Sequence, residues 1–212
     1  MKVIYQTGYA IDKDVDAVVN SANGFLMLGT SGAGRIRELS KPLNTAEKKE
    51  YSMIFKRLPK KVQNFYSHLY GKYGWKLTRD QLSCVKTMVQ RKGHAVKRGT
   101  AVLDRNRVGK KNIIHAVAMS YHLYADSWTR TRATTQTIKN AVRSAMKIAD
   151  LMGAKSVAIP VMAARKTYGV TPDQSLHALL SVLREFEDSS IKKVMICFDN
   201  ERTEEYLKKI KK

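Results

Sequence analysis

The chain has 212 residues and a formal charge of +21, from 39 Lys plus Arg against 18 Asp plus Glu, with a hydrophobic share of 43%. That length suits one domain of ordinary size, or one domain with a large insertion, and the apolar share excludes a chain disordered throughout. Only two cysteines occur, Cys84 and Cys197, so a disulfide framework is excluded; neither they nor the histidines show metal-ligand spacing, and no metal is expected.

No window reaches the ~20 apolar residues of a membrane span, which predicts a soluble, cytoplasmic protein with no membrane partner. A charge excess of this size concentrates polyanions around the chain and makes nucleic acid the leading partner class. The excess is uneven. Arg35 through Lys111 holds 21 Lys or Arg and 5 Asp or Glu, a net of +16, and the remainder holds 18 against 13. This reads as a single domain over 1–212 with a basic helical insertion at about 41–98.

In chain order, Val3–Tyr5 and Ala17–Val19 are short β-prone runs. The second ends in amides, Asn20-Ser21-Ala22-Asn23, and is followed by a loop with Gly29, Gly32 and Gly34 that leads into a helix. A helix start reached through glycines offers backbone N–H groups to a phosphate, and Thr30 and Ser31 add hydroxyl donors beside Ala33. On spacing alone, plain structural punctuation is an equal reading.

The basic stretch predicts helices over Asn44–Leu58, Lys60–Tyr70 and Thr78–Lys92, broken by Pro59 and by Gly71 with Gly74. Thr78-Arg79-Asp80-Gln81 reads as a capping box. Tyr51, Phe55, Phe65, Tyr66, Tyr70, Tyr73 and Trp75 are interleaved with cations, but their helical spacing favours a small core over base stacking. The cations Lys48, Lys49, Lys56, Arg57, Lys60, Lys61, Lys72, Lys76, Arg91 and Lys92 are the candidate contacts to RNA, DNA or a ribonucleoprotein.

Asn112–Val117, Ser156–Ile159 and Lys193–Phe198 are near-continuous apolar runs that suit buried central strands. Between them, Thr134–Met152 shows helical apolar spacing with Gly153 as its stop, and a second helix opens at Thr171-Pro172-Asp173-Gln174. A terminal helix spans about Glu201–Ile210, Trp128–Arg132 reads as a solvated helix start ahead of a cover over a cleft or a contact to phosphate, and His115 reads as a satisfied core histidine. The alternation of strands and helices gives an α/β class with a mostly parallel or mixed sheet covered on both faces.

In its residues, Val19-Asn20-Ser21-Ala22-Asn23 with Leu26 and the glycine loop resembles the macro domain family. The likeness continues through Gly99–Val102, Lys111–Val117 and Ser156–Pro160. It implies a three-layer α/β/α sandwich of macro-like type, with an ADP-ribose cleft at the carboxyl ends of the strands. Carried over, Asn23 faces the distal ribose with Asn20 also among the ligand-binding residues, and Gly29–Gly34 embraces the diphosphate with a second loop, Ala163, Ala164, Arg165, Lys166, Thr167, Tyr168 and Gly169. Tyr168 lies against the distal ribose.

Three departures accompany the likeness. The family's usual adenine-binding Asp is replaced by Tyr9, which could stack on a base, with Asp12 or Asp14 as substitutes. The second loop shows Ala164-Arg165-Lys166 where a small residue and Gly are usual, so Arg165 and Lys166 would grip phosphate through side chains. Hydrolytic members carry an acid where this chain has Ala33, which leaves no general base near Asn23.

The expected activity is therefore binding of ADP-ribose, a related nucleotide or an ADP-ribosylated target, with a basic surface docking on nucleic acid and no cofactor. The alternative is an RNA- or ribosome-associated protein with a degenerate macro fold. An ADP-ribosyl hydrolase ranks below both, since it would need an unrecognised base such as Lys166.

Overall fold

The computed structural model describes residues 1–210 apart from 126 and 165, with Arg105 and Lys166 described in their backbone only. Its strands are β1 (Lys2–Thr7), β2 (Ala17–Asn23), β3 (Thr100–Val108), β4 (Lys111–Leu123), β5 (Trp128–Thr131), β6 (Ser156–Pro160) and β7 (Lys193–Phe198). They form a 7-stranded sheet in the order β1-β7-β6-β2-β4-β3, with β5 paired to β4. The pairs β1–β7, β7–β6, β6–β2 and β2–β4 are parallel, while β3 and β5 run antiparallel to β4. The apolar runs are thus central strands of a mixed, mostly parallel sheet, covered by helices on both faces.

One face carries α5 (Thr135–Leu151), α6 (Pro172–Leu183) and α7 (Glu201–Ile210). Ile138, Val142, Ala145, Met146 and Ala149 of α5 are fully buried against Val19, Ile114, Ala116 and Ile159, as their spacing of three and four requires. Thr171 caps α6 by accepting from the Gln174 N–H at 3.2 Å, and the Gln174 side chain accepts in return from the Thr171 N–H at 3.0 Å, with Pro172 at the first helical position.

The other face carries α1 (Ser31–Leu39), α2 (Thr45–Phe55), α3 (Lys60–Tyr73) and α4 (Arg79–Gln90). The basic stretch therefore folds into helices that share one core with the sheet. Val62, Phe65 and Tyr66 of α3 and Leu82, Val85 and Met88 of α4 are buried with Val18, Ala22, Ile113 and Val117. Removing a buried aromatic such as Phe65 costs about 3–5 kcal/mol. Tyr51 is buried and Phe55 packs against the same cluster, so most of the interleaved aromatics are core.

Four local expectations are corrected. Helix α3 does not stop at Gly71 but runs to Tyr73 and ends on Gly74 at φ +59, because one exposed glycine costs only about 1 kcal/mol while Phe65 and Tyr66 are anchored in the core. The Thr78 capping box does not form: Thr78 makes no side-chain cap, and Gln81 instead accepts from the Leu28 N–H at 3.1 Å and from the Tyr70 hydroxyl.

Trp128–Arg132 is no helix start, since Trp128–Thr131 pairs with Ser120–Leu123 and the Trp128 ring lies 5.2 Å from Phe65. Strand β3 extends well past Val102, to Val108. Among the described residues, no helix is long and apolar enough to cross a membrane.

Candidate functional site

A cleft of about 370 Å³ opens at the carboxyl ends of β2 and β6, between the loop after β2, the loop after β6 and the residues following β7. Open α/β sheets place ligands at this edge. Its floor includes Val18, Asn20, Ala22 and Asn23, and its first wall is Gly29, Thr30, Ser31, Gly32 and Ala33.

That wall is the start of α1. Thr30 occupies the N-cap with no side-chain cap bond, and the first N–H groups of a helix have no intrahelical acceptor, so the end carries partial positive charge. Gly34 lets the loop close, since a Cβ there would sit 3.0 Å from the Gly29 carbonyl oxygen. Ser31 holds φ 56, a left-handed conformation unusual outside glycine and asparagine, which turns the chain into the helix.

The loop before α1 is braced from the basic helices. Tyr66 donates its hydroxyl to the Phe25 carbonyl, Gln81 holds the Leu28 N–H, and the Arg37 guanidinium donates to the Leu28 and Gly29 carbonyls, each at 2.6 Å. Asn23 is also part of the brace. Its amide oxygen accepts from the Phe25 N–H at 3.0 Å and the Met27 N–H at 3.4 Å, and its amide nitrogen donates to the Met27 carbonyl at 2.9 Å. One amide N–H of Asn23 is left for a ligand.

The opposite wall is aromatic and cationic. Tyr73 and Trp75 stack with ring centres 4.7 Å apart and an interplanar angle of 16°, and Lys72 lines the cleft beside them. Arg130 of β5 places its guanidinium 4.8 Å from the centre of the Tyr168 ring, so cations and rings alternate around the mouth.

A model of the Macro domain matches residues 68–179, just over half of the chain. The chain belongs to the macro domain family. The solved Oceanobacillus iheyensis macrodomain with ADP is similar at TM-score 0.62 and 16% identity, over 96% of this chain and 88% of that one. The macro domain of ganglioside induced differentiation associated protein 2 is similar at TM-score 0.60 and 16% identity, over 98% and 81%. The macrodomain of Mycobacterium tuberculosis DarG is similar at TM-score 0.54 and 15% identity, over 92% and 97%. No curated protein matches the chain by sequence.

In this macro domain, Asn20, Asn23, Gly29, Thr30, Ser31, Gly32, Ala33, Ala163, Ala164 and Tyr168 come together around the cleft. Others do not. Gly34 lies behind the loop, and Gly169 packs on the chain before α5, where a Cβ would sit 2.3 Å from the Ala133 carbonyl oxygen. Tyr9 and Thr167 line a neighbouring shallow hollow with Ser31, Asp199 and Asn200, so Tyr9 is placed beside the cleft rather than in it. Asp12 is held by Arg35 at 3.1 Å, away from the cleft. Arg165 lies outside the described residues, and Lys166 is described only as backbone of a 3-10 turn.

Of the ten candidate nucleic-acid contacts, Lys72 alone lines the cleft. Lys48, Lys49, Lys56, Arg57, Lys60, Lys61, Lys76, Arg91 and Lys92 are exposed. Arg91 is partly engaged, donating to the His94 and Ala95 carbonyls at 3.3 Å.

Sequence reasoning missed Asp199 and Asn200, which line the cleft, with the Asp199 carboxylate 3.3 Å from where a Cβ on Gly32 would sit. Their signal was available, since they directly follow the last apolar strand. Trp128 and Arg130 line the cleft, in keeping with the lesser of the two sequence readings of that stretch, while Arg37 and Trp75 were missed as parts of the site because no spacing rule links them before the chain is folded.

Proposed function

We propose that the cleft binds ADP-ribose or a closely related nucleotide. The observation that carries this is the glycine-rich N-terminus of α1, where Thr30 makes no side-chain cap bond, facing a cleft whose floor ends in Asn23 and whose far wall holds Tyr168 and Arg130. Helix N–H groups and the dipole bind a diphosphate, amides bind sugar hydroxyls, and rings receive a base. A solved relative, the Oceanobacillus iheyensis macrodomain, is described with ADP and, as a mutant, with ADPR, which supports the same reading here. Calorimetric titration of the nucleic-acid-free protein with ADP-ribose tests it. Saturable one-to-one binding in the micromolar range is expected, and no heat from a folded sample overturns it.

We also propose that 41–98 is an insertion whose exposed cations dock on nucleic acid near the cleft. Lys48, Lys49, Lys56, Lys60 and Lys61 all face solvent, and the Tyr73–Trp75 stack with Lys72 joins that surface to the cleft mouth. This arrangement suits an ADP-ribosylated strand whose neighbouring base rests on the rings. A second reading, in which the basic surface acts alone, is favoured by Ala163 at φ 51, a strained phosphate loop lacking the expected glycine. Nucleic-acid affinity that is unchanged by saturating ADP-ribose and by cleft variants selects it.

A further inference from the structure

Behind the cleft floor, between α4 and the strands β3 and β4, the fold gathers side chains that lie far apart in sequence. The Sγ of Cys84, a carboxylate oxygen of Asp104 and a ring nitrogen of His115 all lie within 4.8 Å of one another, and all three residues are buried. Nε2 of His115 is 3.0 Å from Asp104 Oδ2 and 3.6 Å from Cys84 Sγ. A single ring N–H cannot point at both acceptors. Convergence of sulfur, nitrogen and oxygen on one point is the arrangement a d-block cation satisfies.

The surrounding groups hold these donors in place. Ser83 donates its hydroxyl to Asp104 Oδ1, and the Asn106 N–H reaches the same oxygen at 2.9 Å, which leaves Oδ2 turned to the cluster. Asn20 contacts Nδ1 of His115 through its side-chain amide at 3.0 Å, so the ring is oriented from its far side, as metal-bound imidazoles are.

Charge points the same way. Asp80 is 0% exposed, neither of its carboxylate oxygens has a hydrogen bond of ordinary geometry, and burial pushes its carboxyl up against a smaller opposing effect of Ser40. It lies near enough to Asp104, His115 and the Cys84 thiol for their charges to interact. No Lys or Arg among the described side chains pairs with Asp80 or Asp104. Two carboxylates and a thiol buried with one imidazole are costly unless a cation joins them.

We propose that Cys84, Asp104 and His115 bind a zinc-class divalent cation, with the buried Asp80 carboxylate adding negative charge close by. The Asn20 amide then turns its oxygen to Nδ1–H. Enclosed and away from solvent, the ion is structural: it fastens α4 to β3 and β4, and through Asn20 it steadies the cleft floor.

The test uses the full chain without any nucleotide. Elemental analysis of purified protein is expected to give one equivalent of zinc, and replacement by Co²⁺ to give the near-ultraviolet charge-transfer band of thiolate ligation with the visible bands of four-coordinate cobalt. Cys84→Ser, close to isosteric, is expected to lose the charge-transfer band while circular dichroism stays native. Asp80→Asn is expected to weaken the metal by roughly 10–100-fold. Folded wild-type protein that carries no metal and develops no thiolate band with excess Co²⁺ overturns the proposal and leaves a hydrogen-bonded cluster. That result needs no variant to fold, and it leaves the nucleotide reading untouched.

Discussion

The Arg37 guanidinium lies 4.2 Å from the centre of the Trp75 ring while donating to the Leu28 and Gly29 carbonyls at 2.6 Å. One side chain of α1 thus ties the glycine loop before that helix to the aromatic wall contributed by the chain after α3. Arg37→Ala is expected to cost about 2–3 kcal/mol of stability, from charged hydrogen bonds and a cation–π contact, and to weaken ADP-ribose more than Arg37→Lys does, because lysine keeps a charged N–H donor for the two carbonyls. Urea unfolding and calorimetry measure the two effects. Native stability in Arg37→Ala refutes the brace.

Gly32→Glu is expected to abolish nucleotide binding with the fold intact. The new side chain would begin 3.3 Å from the Asp199 carboxylate and would bring a second negative charge to the anion-binding end of α1. Titration with ADP-ribose reads the outcome, and unchanged affinity would mean that the diphosphate lies elsewhere.

Replacing Lys60, Lys61 and Lys72 by Glu is expected to weaken single-stranded nucleic acid strongly and to flatten its salt dependence. Each lost phosphate contact lowers the slope of log affinity against log salt by about 0.7. Binding measured across a salt series decides it, and a wild-type affinity that does not respond to salt sinks the electrostatic docking idea.

Asp16, at the start of β2, gives an acid-limb prediction. A side-chain hydrogen bond from Ser156 is the largest cause holding its carboxyl below the usual value; burial opposes, and the Lys155 and Ser156 N–H groups and the Lys193 charge help. A carboxyl lowered in the folded state contributes stability above its unfolded pKa and loses it as pH falls through the folded one. Asp16→Asn is expected to lower stability at neutral pH by about 1 kcal/mol, from hydrogen bonds at an exposed site, and to narrow the difference between variant and wild type below about pH 4. Equal midpoints at pH 7 count against it.

The strands and the two outer helices were legible because burial on both faces writes continuous apolar runs, as in Ile113–Val117, and because helical faces write spacings of three and four, as in Ile138–Ala149. The glycine loop was legible because backbone access to phosphate restricts residue type. Long-range partnership was not. Trp128 became strand because Ser120–Leu123 offered it a ladder, and Gln81 left its own helix cap for Leu28, choices that depend on residues far away in sequence. The Cys84–Asp104–His115 grouping was hidden for the same reason, since its members come from α4, β3 and β4 and show no local spacing.

The place of β1 at the sheet edge, paired only with β7, sets an order of events in folding. Lys2 meets Lys193 and Thr7 meets Phe198, so β1 has no seat in the sheet until β7 has been made. Closing a loop that spans nearly the whole chain is slow, and the segment held by that pairing carries Ala10 and Ile11 into the cleft. The lining of the cleft is therefore complete only once β1 has paired with β7. A nucleotide that binds only the finished cleft would select for molecules in which that final docking has taken place.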